Sequence, residues 1–445
     1  MNEKKKLVKG KLINLLAVLT VAVIGMMKAI NIWAYEKEDD GYREHLNKGI
    51  EYAEKGYYVD ACNEFEKAAS IRPNEDVSLM EAECYLMIND LVTFKQKADY
   101  VEKTYGSSER LYTDMMFYYE LLDDRAGEIK LLIDAVDKYP DSEYLRECYD
   151  AVKGEYRVEG NNYEVVFSLY GDCELVEQDG RYAVCEDIVS GRLGNSFDEI
   201  YDVNLDGEIM VSGLVDGRIS YYDKKGYVRV TPEGEYTYLG IARDGYALAK
   251  CDKGYFYIDE ATGKTSDEYE DATSFYNNIA AVKKDGKWQI INSGFETISD
   301  CYYDDIVCNQ FKSFVFSDRI FAKRDGEYVM LDIGCNEISK GYEEVRPFYE
   351  NEGYAAVRDR KGWKLIDING KVIECVECDE LCASGNGIAA YRKGDKWGYI
   401  GVGDGVYVEP SFDGAQRVDS QGYAAVKADD KWKYIHFLRF DDSVM

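Results

Sequence analysis

Along most of the chain, short apolar runs alternate with polar turns that contain glycine. The clearest instance reads Gly353-Tyr354-Ala355-Ala356-Val357, a charged turn from Arg358 to Gly362, Trp363-Lys364-Leu365-Ile366-Asp367, then Ile368-Asn369-Gly370-Lys371. Two apolar runs around a polar turn, with Asn-Gly following, predict consecutive β-hairpins. The aromatic position of this pattern returns at Tyr182, Ile219, Tyr255, Trp288, Tyr328, Trp363, Trp397 and Trp432, at spacings of 37, 36, 33, 40, 35, 34 and 35 residues. A fixed period in this range means one supersecondary unit stacked on copies of itself. About fifteen residues before each small-apolar run comes a second marker, a bulky residue followed by an acid. Examples are Phe197-Asp198, Tyr269-Glu270, Tyr303-Asp304, Tyr342-Glu343 and Phe412-Asp413. Eight units are countable over residues 160–440, the first two degenerate.

Upstream the period is that of helices. From Tyr42 to Lys153, small and bulky apolar positions recur as Gly49, Tyr52, Ala61, Phe65 and Ala68. They recur again as Ala82, Tyr85, Phe94, Ala98 and Val101, and a third time as Met116, Tyr119, Leu132 and Ala135. Small residues at such positions let paired helices approach, and a bulky residue between them fills the gap. The copies start at Tyr42, Glu75 and Glu109, 33 and 34 residues apart. Asp141 to Lys153 reads as an amphipathic capping helix, and Gly154–Asn162 as the connector to the β region.

Two resemblances follow from these residues. The helical copies resemble tetratricopeptide (TPR) repeats, so residues 41–154 are expected to hold three of them plus a cap. The inner-helix positions Arg43, Leu46, Ile50, Asp76, Leu79, Glu83, Arg110, Thr113 and Phe117 are then the candidate peptide groove. The two-marker pattern of residues 160–440 resembles the WG-repeat family of bacterial proteins, whose Trp-Gly step survives intact here only as Trp397-Gly398. That resemblance implies a β-rich module without known catalytic residues, used mostly as an interaction region. Eight such units suit a β-propeller, whose ring leaves only short edges. An open β-solenoid or hairpin array is the alternative. In a propeller the first strand completes the last blade, and the apolar stretch Tyr163–Tyr170 is the strand expected there. The phased aromatics Tyr182, Tyr255, Trp288, Tyr328, Trp363, Trp397 and Trp432 are expected to pack blades rather than to touch a ligand.

The N-terminus changes the picture of address. Residues 1–11 carry five lysines against Glu3, and residues 12–34 are nearly uncharged and long enough for one membrane span. Basic residues before and acids after predict a signal anchor, a cytoplasmic tail, and an extracytoplasmic remainder.

Candidate chemistry is thin. The two histidines, His45 and His436, stand far apart, which removes most triad and zinc arrangements. Asp202-Val203-Asn204-Leu205-Asp206-Gly207 copies the start of an EF-hand loop, but its twelfth position is Gly213 where a bidentate Glu belongs. Cys375, Cys378 and Cys382 lie on or near a predicted strand, where residues three apart face opposite ways. No catalytic, metal or cofactor site is therefore assigned, and no enzymatic activity is expected. A net charge of -31 argues against nucleic acid. The chain reads as a membrane-anchored interaction or scaffold protein with a protein or cell-wall partner. The alternative is a glycan or cell-wall binding module using exposed aromatic rings.

Overall fold

The computed structural model describes residues 40–168, 174–204, 210–349 and 353–442. Contacts divide the chain into a helical unit up to Tyr149 and a β unit from Asp150 to Ser443.

Seven α-helices occupy the N-terminal described residues: α1 (Asp40–Glu54), α2 (Tyr58–Ile71), α3 (Glu75–Met87), α4 (Leu91–Tyr105), α5 (Glu109–Leu122), α6 (Arg125–Lys138) and α7 (Glu143–Val152). Side-chain caps start four of them. Asn74, Asp90, Ser108 and Asp124 accept from the backbone N–H of Val77, Thr93, Leu111 and Gly127. Each cap satisfies a donor that the helix start leaves orphaned. Consecutive helices pack as antiparallel pairs. In the first pair Ala61, Phe65 and Ala68 are buried. A β-carbon at Gly49 would lie 2.6 Å from the Phe65 ring. Glycine there is what allows α1 to lie against α2. In the second pair Phe94, Ala98 and Val101 pack with Leu79, Ala82 and Leu86.

The β unit is an eight-bladed propeller: among the described residues its strands form eight antiparallel sheets, taken in chain order. Each sheet runs outward from its first strand to its last. The ring closes through the strand Tyr156–Tyr163, which pairs with Lys431–Phe437 and makes the eighth blade four-stranded. Closure thus comes from the stretch that reads as a connector, while Val165–Ser168 opens the first blade instead. The physical reason is exposure. As the outer strand of its blade, Tyr156–Tyr163 is buried fully only at Tyr163 and needs no apolar alternation.

The phased positions sit in equivalent places. Tyr182, Tyr255, Trp288, Tyr328, Trp397 and Trp432 each pair, on the same sheet, with the bulky marker residue that follows them: Phe197, Tyr269, Tyr303, Tyr342, Phe412 and, through closure, Tyr163. In blade 6 the partner of Trp363 is Val376. Across the hairpin, six blades place a cation opposite the aromatic: Lys250, Lys283, Lys323, Arg358, Arg392 and Lys427. Lys250 lies 4.8 Å and Lys323 5.2 Å from the ring centroid they face, a favourable cation–π distance. In four blades a carboxylate of the inner strand stands opposite that cation: Asp271, Asp305, Glu344 and Glu380.

The residue after each marker links to the next blade. At six of the eight junctions its backbone N–H donates to the carbonyl of the residue opposite the phased position, as in Glu164 to Glu177 at 3.0 Å, Asp304 to Lys323 at 2.7 Å and Asp413 to Lys427 at 2.8 Å; Thr237 and Asp379 make the same bond at the other two. Its carboxylate then accepts from the tight turn of that blade. Asp198 takes the N–H of Asp216 at 2.9 Å, Glu270 that of Gly286 at 3.1 Å, and Asp379 that of Gly394 at 2.7 Å.

One expectation is corrected outright. Among the described residues no helix is long and apolar enough to cross a membrane. Residues 1–11 and 12–34, read as tail and signal anchor, lie outside the described residues. The single-pass assignment, and the extracytoplasmic placement that rested on it, are therefore not retained.

Closure also carries a titratable group. His436 is buried on the closing pair, stacked on Tyr423 at 4.2 Å, and its Nε2–H donates to the Gln421 carbonyl at 3.0 Å. Its Nδ1 has no hydrogen-bond partner. Burial holds its pKa below the usual 6.5, while Asp441 and Glu159 pull upward and Arg157 pulls down. A depressed histidine pKa means the unfolded state binds the proton more tightly. The stability it contributes is present above the unfolded value and lost as pH falls through it. Acidification from about pH 7 to about pH 5.5 is therefore expected to lower the propeller's melting temperature. His436→Gln should flatten that dependence, and an unchanged pH profile in this variant contradicts the assignment.

Candidate interaction site

The helical unit brings together charges from two inner helices. Arg110, in the first turn of α5, directs its Nε–H to Glu83 Oε1 on α3 at 2.6 Å, and its Nη1 lies 3.7 Å from Asp76 Oδ1. One turn further along α5, Asp114 is 5% exposed and its Oδ2 has no hydrogen-bond partner. Positions four apart share a helix face, so Arg110 and Asp114 belong to one cluster. Burial, with Glu83 adding its like charge, holds the Asp114 carboxyl well above the usual carboxylate range. Arg110 opposes that shift without cancelling it. Asp114 thus stands buried beside the Glu83–Arg110 ion pair. The accessible part of the arrangement is the exposed Asp76 carboxylate, 3.7 Å from the Arg110 guanidinium.

The predicted groove residues fall into two groups. Glu83 and Arg110 meet as an ion pair, with Asp76 alongside. Leu46, Ile50 and Leu79, expected to line an open groove, are instead 5%, 2% and 1% exposed and belong to the packed cores. Their spacing gives inner-helix positions, but a two-layer helix pair turns the apolar ones inward. Arg43 is half-buried on α1, Thr113 Oγ1 donates to the Glu109 carbonyl, and Phe117 packs partly against the second core. Asp114 was absent from the predicted set, although its spacing from Arg110 was readable.

In the propeller the EF-hand-like start is engaged otherwise. Asp202 is fully buried, accepts from Ile241 N–H at 2.8 Å, and forms a two-pronged pair with Arg243 at 2.5 and 2.9 Å. That pair joins the second and third blades. Residues 205–209 of the loop lie outside the described residues. Cys375 is exposed on its strand, whereas burial pushes the Cys378 thiol up to about 11 and that of Cys382 to about 12. Among the described residues, no group of three or more His, Cys, Asp or Glu is arranged to hold a metal ion. Of the phased aromatics, Tyr255, Trp288 and Trp363 are buried, at 9%, 4% and 3% exposed, and the Trp363 Nε1–H donates to the Asp379 carbonyl at 3.1 Å. At Trp397-Gly398 a β-carbon on the glycine would lie 2.3 Å from the Val408 carbonyl, where the outer strand bulges inward.

Comparison with known proteins agrees with the repeat. The family model described as "WG containing repeat" matches residues 268–288 and 398–432. No curated protein matches the chain in sequence. Solved structures similar to it include Kluyveromyces lactis Hsv2p, 8% identical over 62% of this chain and 97% of that chain, TM-score 0.32. Another is the β-propeller domain of Myceliophteria thermophila Cps50 (Swd1), 11% identical over 53% of this chain and 98% of that chain, TM-score 0.29. With TM-scores this low, the blade count rests on the strand pairing alone.

The state of Asp114 is testable. A raised carboxyl pKa stabilises the fold below the unfolded value, and that stabilisation is lost as pH rises through the folded value. Asp114→Asn keeps the shape and the donor without the charge. Urea unfolding of this variant is expected to match the parent near pH 4 and to exceed it near pH 8. Asp114→Ala is expected to cost about 1–3 kcal/mol, because Glu83 loses its partner. A parent more stable than Asp114→Asn at high pH would show that Asp114 is ionised in the fold.

Proposed function

We propose that this chain is a non-enzymatic interaction protein in which a TPR-type helical array docks a partner protein and the WG-repeat propeller is a rigid binding platform. A β-propeller with WG repeats suggests a protein-interaction module. The TPR reading is supported by helix pairs that start at Asp40, Glu75 and Glu109, by the contact of Gly49 with Phe65, and by the closing helix α7.

The observation that carries the docking role is the Asp76–Glu83–Arg110–Asp114 cluster. A structural ion pair needs no second buried acid beside it and no further exposed one. An extended peptide fits the exposed end of the cluster, its backbone amide donating to the Asp76 carboxylate beside Arg110. Net charge adds direction: at -31 the chain favours a cationic or neutral partner and disfavours nucleic acid.

Peptides selected from a random display library against the full chain test this. Bound peptides are expected to slow hydrogen exchange in Glu75–Met87 and Glu109–Leu122, and to lose about tenfold or more in affinity for Arg110→Glu. Peptides that protect only propeller strands, or that bind Arg110→Glu equally well, would contradict the assignment.

A further inference from the structure

Blades 3 and 4 differ from the others at their outer edges. Other blades end in a paired outer strand, but here the edge is reduced to single bridges, Tyr255–Tyr269 and Ile258–Thr265 in one blade, Trp288–Tyr303 and Ile291–Thr297 in the next. In blade 3 the side chain of Ser266 takes the place of a backbone group, its Oγ accepting from Tyr257 N–H at 3.0 Å. Where the edge stands off, a solvent-open cleft of about 520 Å³ lies between the two blades. That volume falls within the range of small-molecule sites.

Aromatic rings line it. Tyr246, Tyr269 and Phe295 are half-buried there, with Tyr257 fully buried beneath. Phe295 sits at φ +62° in a turn whose equivalents carry Gly226 at +78°, Cys335 at +63° and Gly370 at +76°. All four residues close the turn the same way, each donating its N–H to the carbonyl of an Asp or Asn three positions back, and Phe295 alone among them is a ring. A bulky side chain at positive φ is strained, and such outliers cluster at functional sites. Here the strain places a ring on the cleft wall, 5.3 Å from Tyr246 at 81° and 5.8 Å from Tyr257.

These distances decide the type of ligand. Centroids under about 6 Å apart are rings in mutual contact, which leaves no gap for an ammonium ion between them. The rings stand at 81° and 51° to Phe295, so they offer single ring faces and no cage. The charges at the rim balance, Asp259 and Asp267 against Lys264 and Lys284, so no ionic ligand is favoured. One apolar ring face bordered by both acceptors and donors matches a molecule with one C–H face and a rim of hydroxyl groups. We infer that the cleft between blades 3 and 4 binds a neutral saccharide ring, stacked on Phe295 and its neighbours and held at its hydroxyls by the polar rim. This site is independent of the peptide groove.

Isothermal titration of the full chain with cellohexaose, chitohexaose and maltohexaose tests the inference. At least one is expected to bind saturably. Phe295→Gly suits the backbone conformation and removes that ring, so it is expected to weaken binding about tenfold while the melting temperature is kept. Tyr269→Ala should do the same, whereas Tyr302→Ala, an exposed tyrosine elsewhere, and Arg110→Glu should bind like the parent. Absence of saturable heat with all three oligosaccharides overturns the proposal, as does binding that survives both cleft variants unchanged.

Discussion

One two-residue step governs the β unit: a bulky residue that ends one blade, and the next residue that fastens the following blade. The bulky residue pairs across the sheet with the phased aromatic of its own blade. Its successor donates to a backbone carbonyl of the next blade at six junctions, and Thr237 and Asp379 make the same bond at the other two. Where it is an acid, as at Asp198, Glu270 and Asp379, it also caps that blade's tight turn. A single bond of this kind contributes only about 0.5–1.5 kcal/mol net. Eight in a closed ring act together, because loosening one junction strains both neighbours. Closure also removes the strand edges that an open array would leave exposed. At the seam Tyr163-Glu164 makes the same step, so the ring has no special joint. Only the strand that supplies it comes from the other end of the module.

This explains what the sequence made legible. The period and both markers are visible because the step needs particular residue types at fixed places: a ring to fill the pair, a carboxylate to reach turn N–H groups. The seam obeys the same rule, and Tyr163-Glu164 was readable as one more marker. The strand before it was not, since Arg157, Asn161 and Asn162 face solvent and carry no apolar signal. The cation opposite the phased aromatic in six blades was equally hidden, because it becomes a partner only once the register is known. In the helical unit, Gly49 and Phe65 announced their contact by size. The groove did not announce itself: Leu46, Ile50 and Leu79 are apolar because they are core, and the residues left on the surface are charged.

The two candidate sites share a logic. Each departs from an arrangement its surroundings otherwise keep. Asp114 is a buried acid beside another acid where a neutral or basic residue would cost less, and Phe295 is a ring where the equivalent turns use glycine or cysteine. In a chain whose remaining regularities serve stacking, such positions are where a partner or a ligand has a role to play.

The closed ring depends on the step between blades. Asp379 tests it best, since its N–H reaches Arg392, its carboxylate caps Gly394 and its carbonyl receives Trp363 of the preceding blade. Hydrogen exchange of the full chain with Asp379→Ala is the direct measurement. Faster exchange is predicted at Gly394, through Ile388–Lys393 of its own blade, and back to Gly362–Ile366 of the blade before, with the helices unchanged. Faster exchange confined to Gly394, with both neighbouring strands as protected as in the parent, would contradict it.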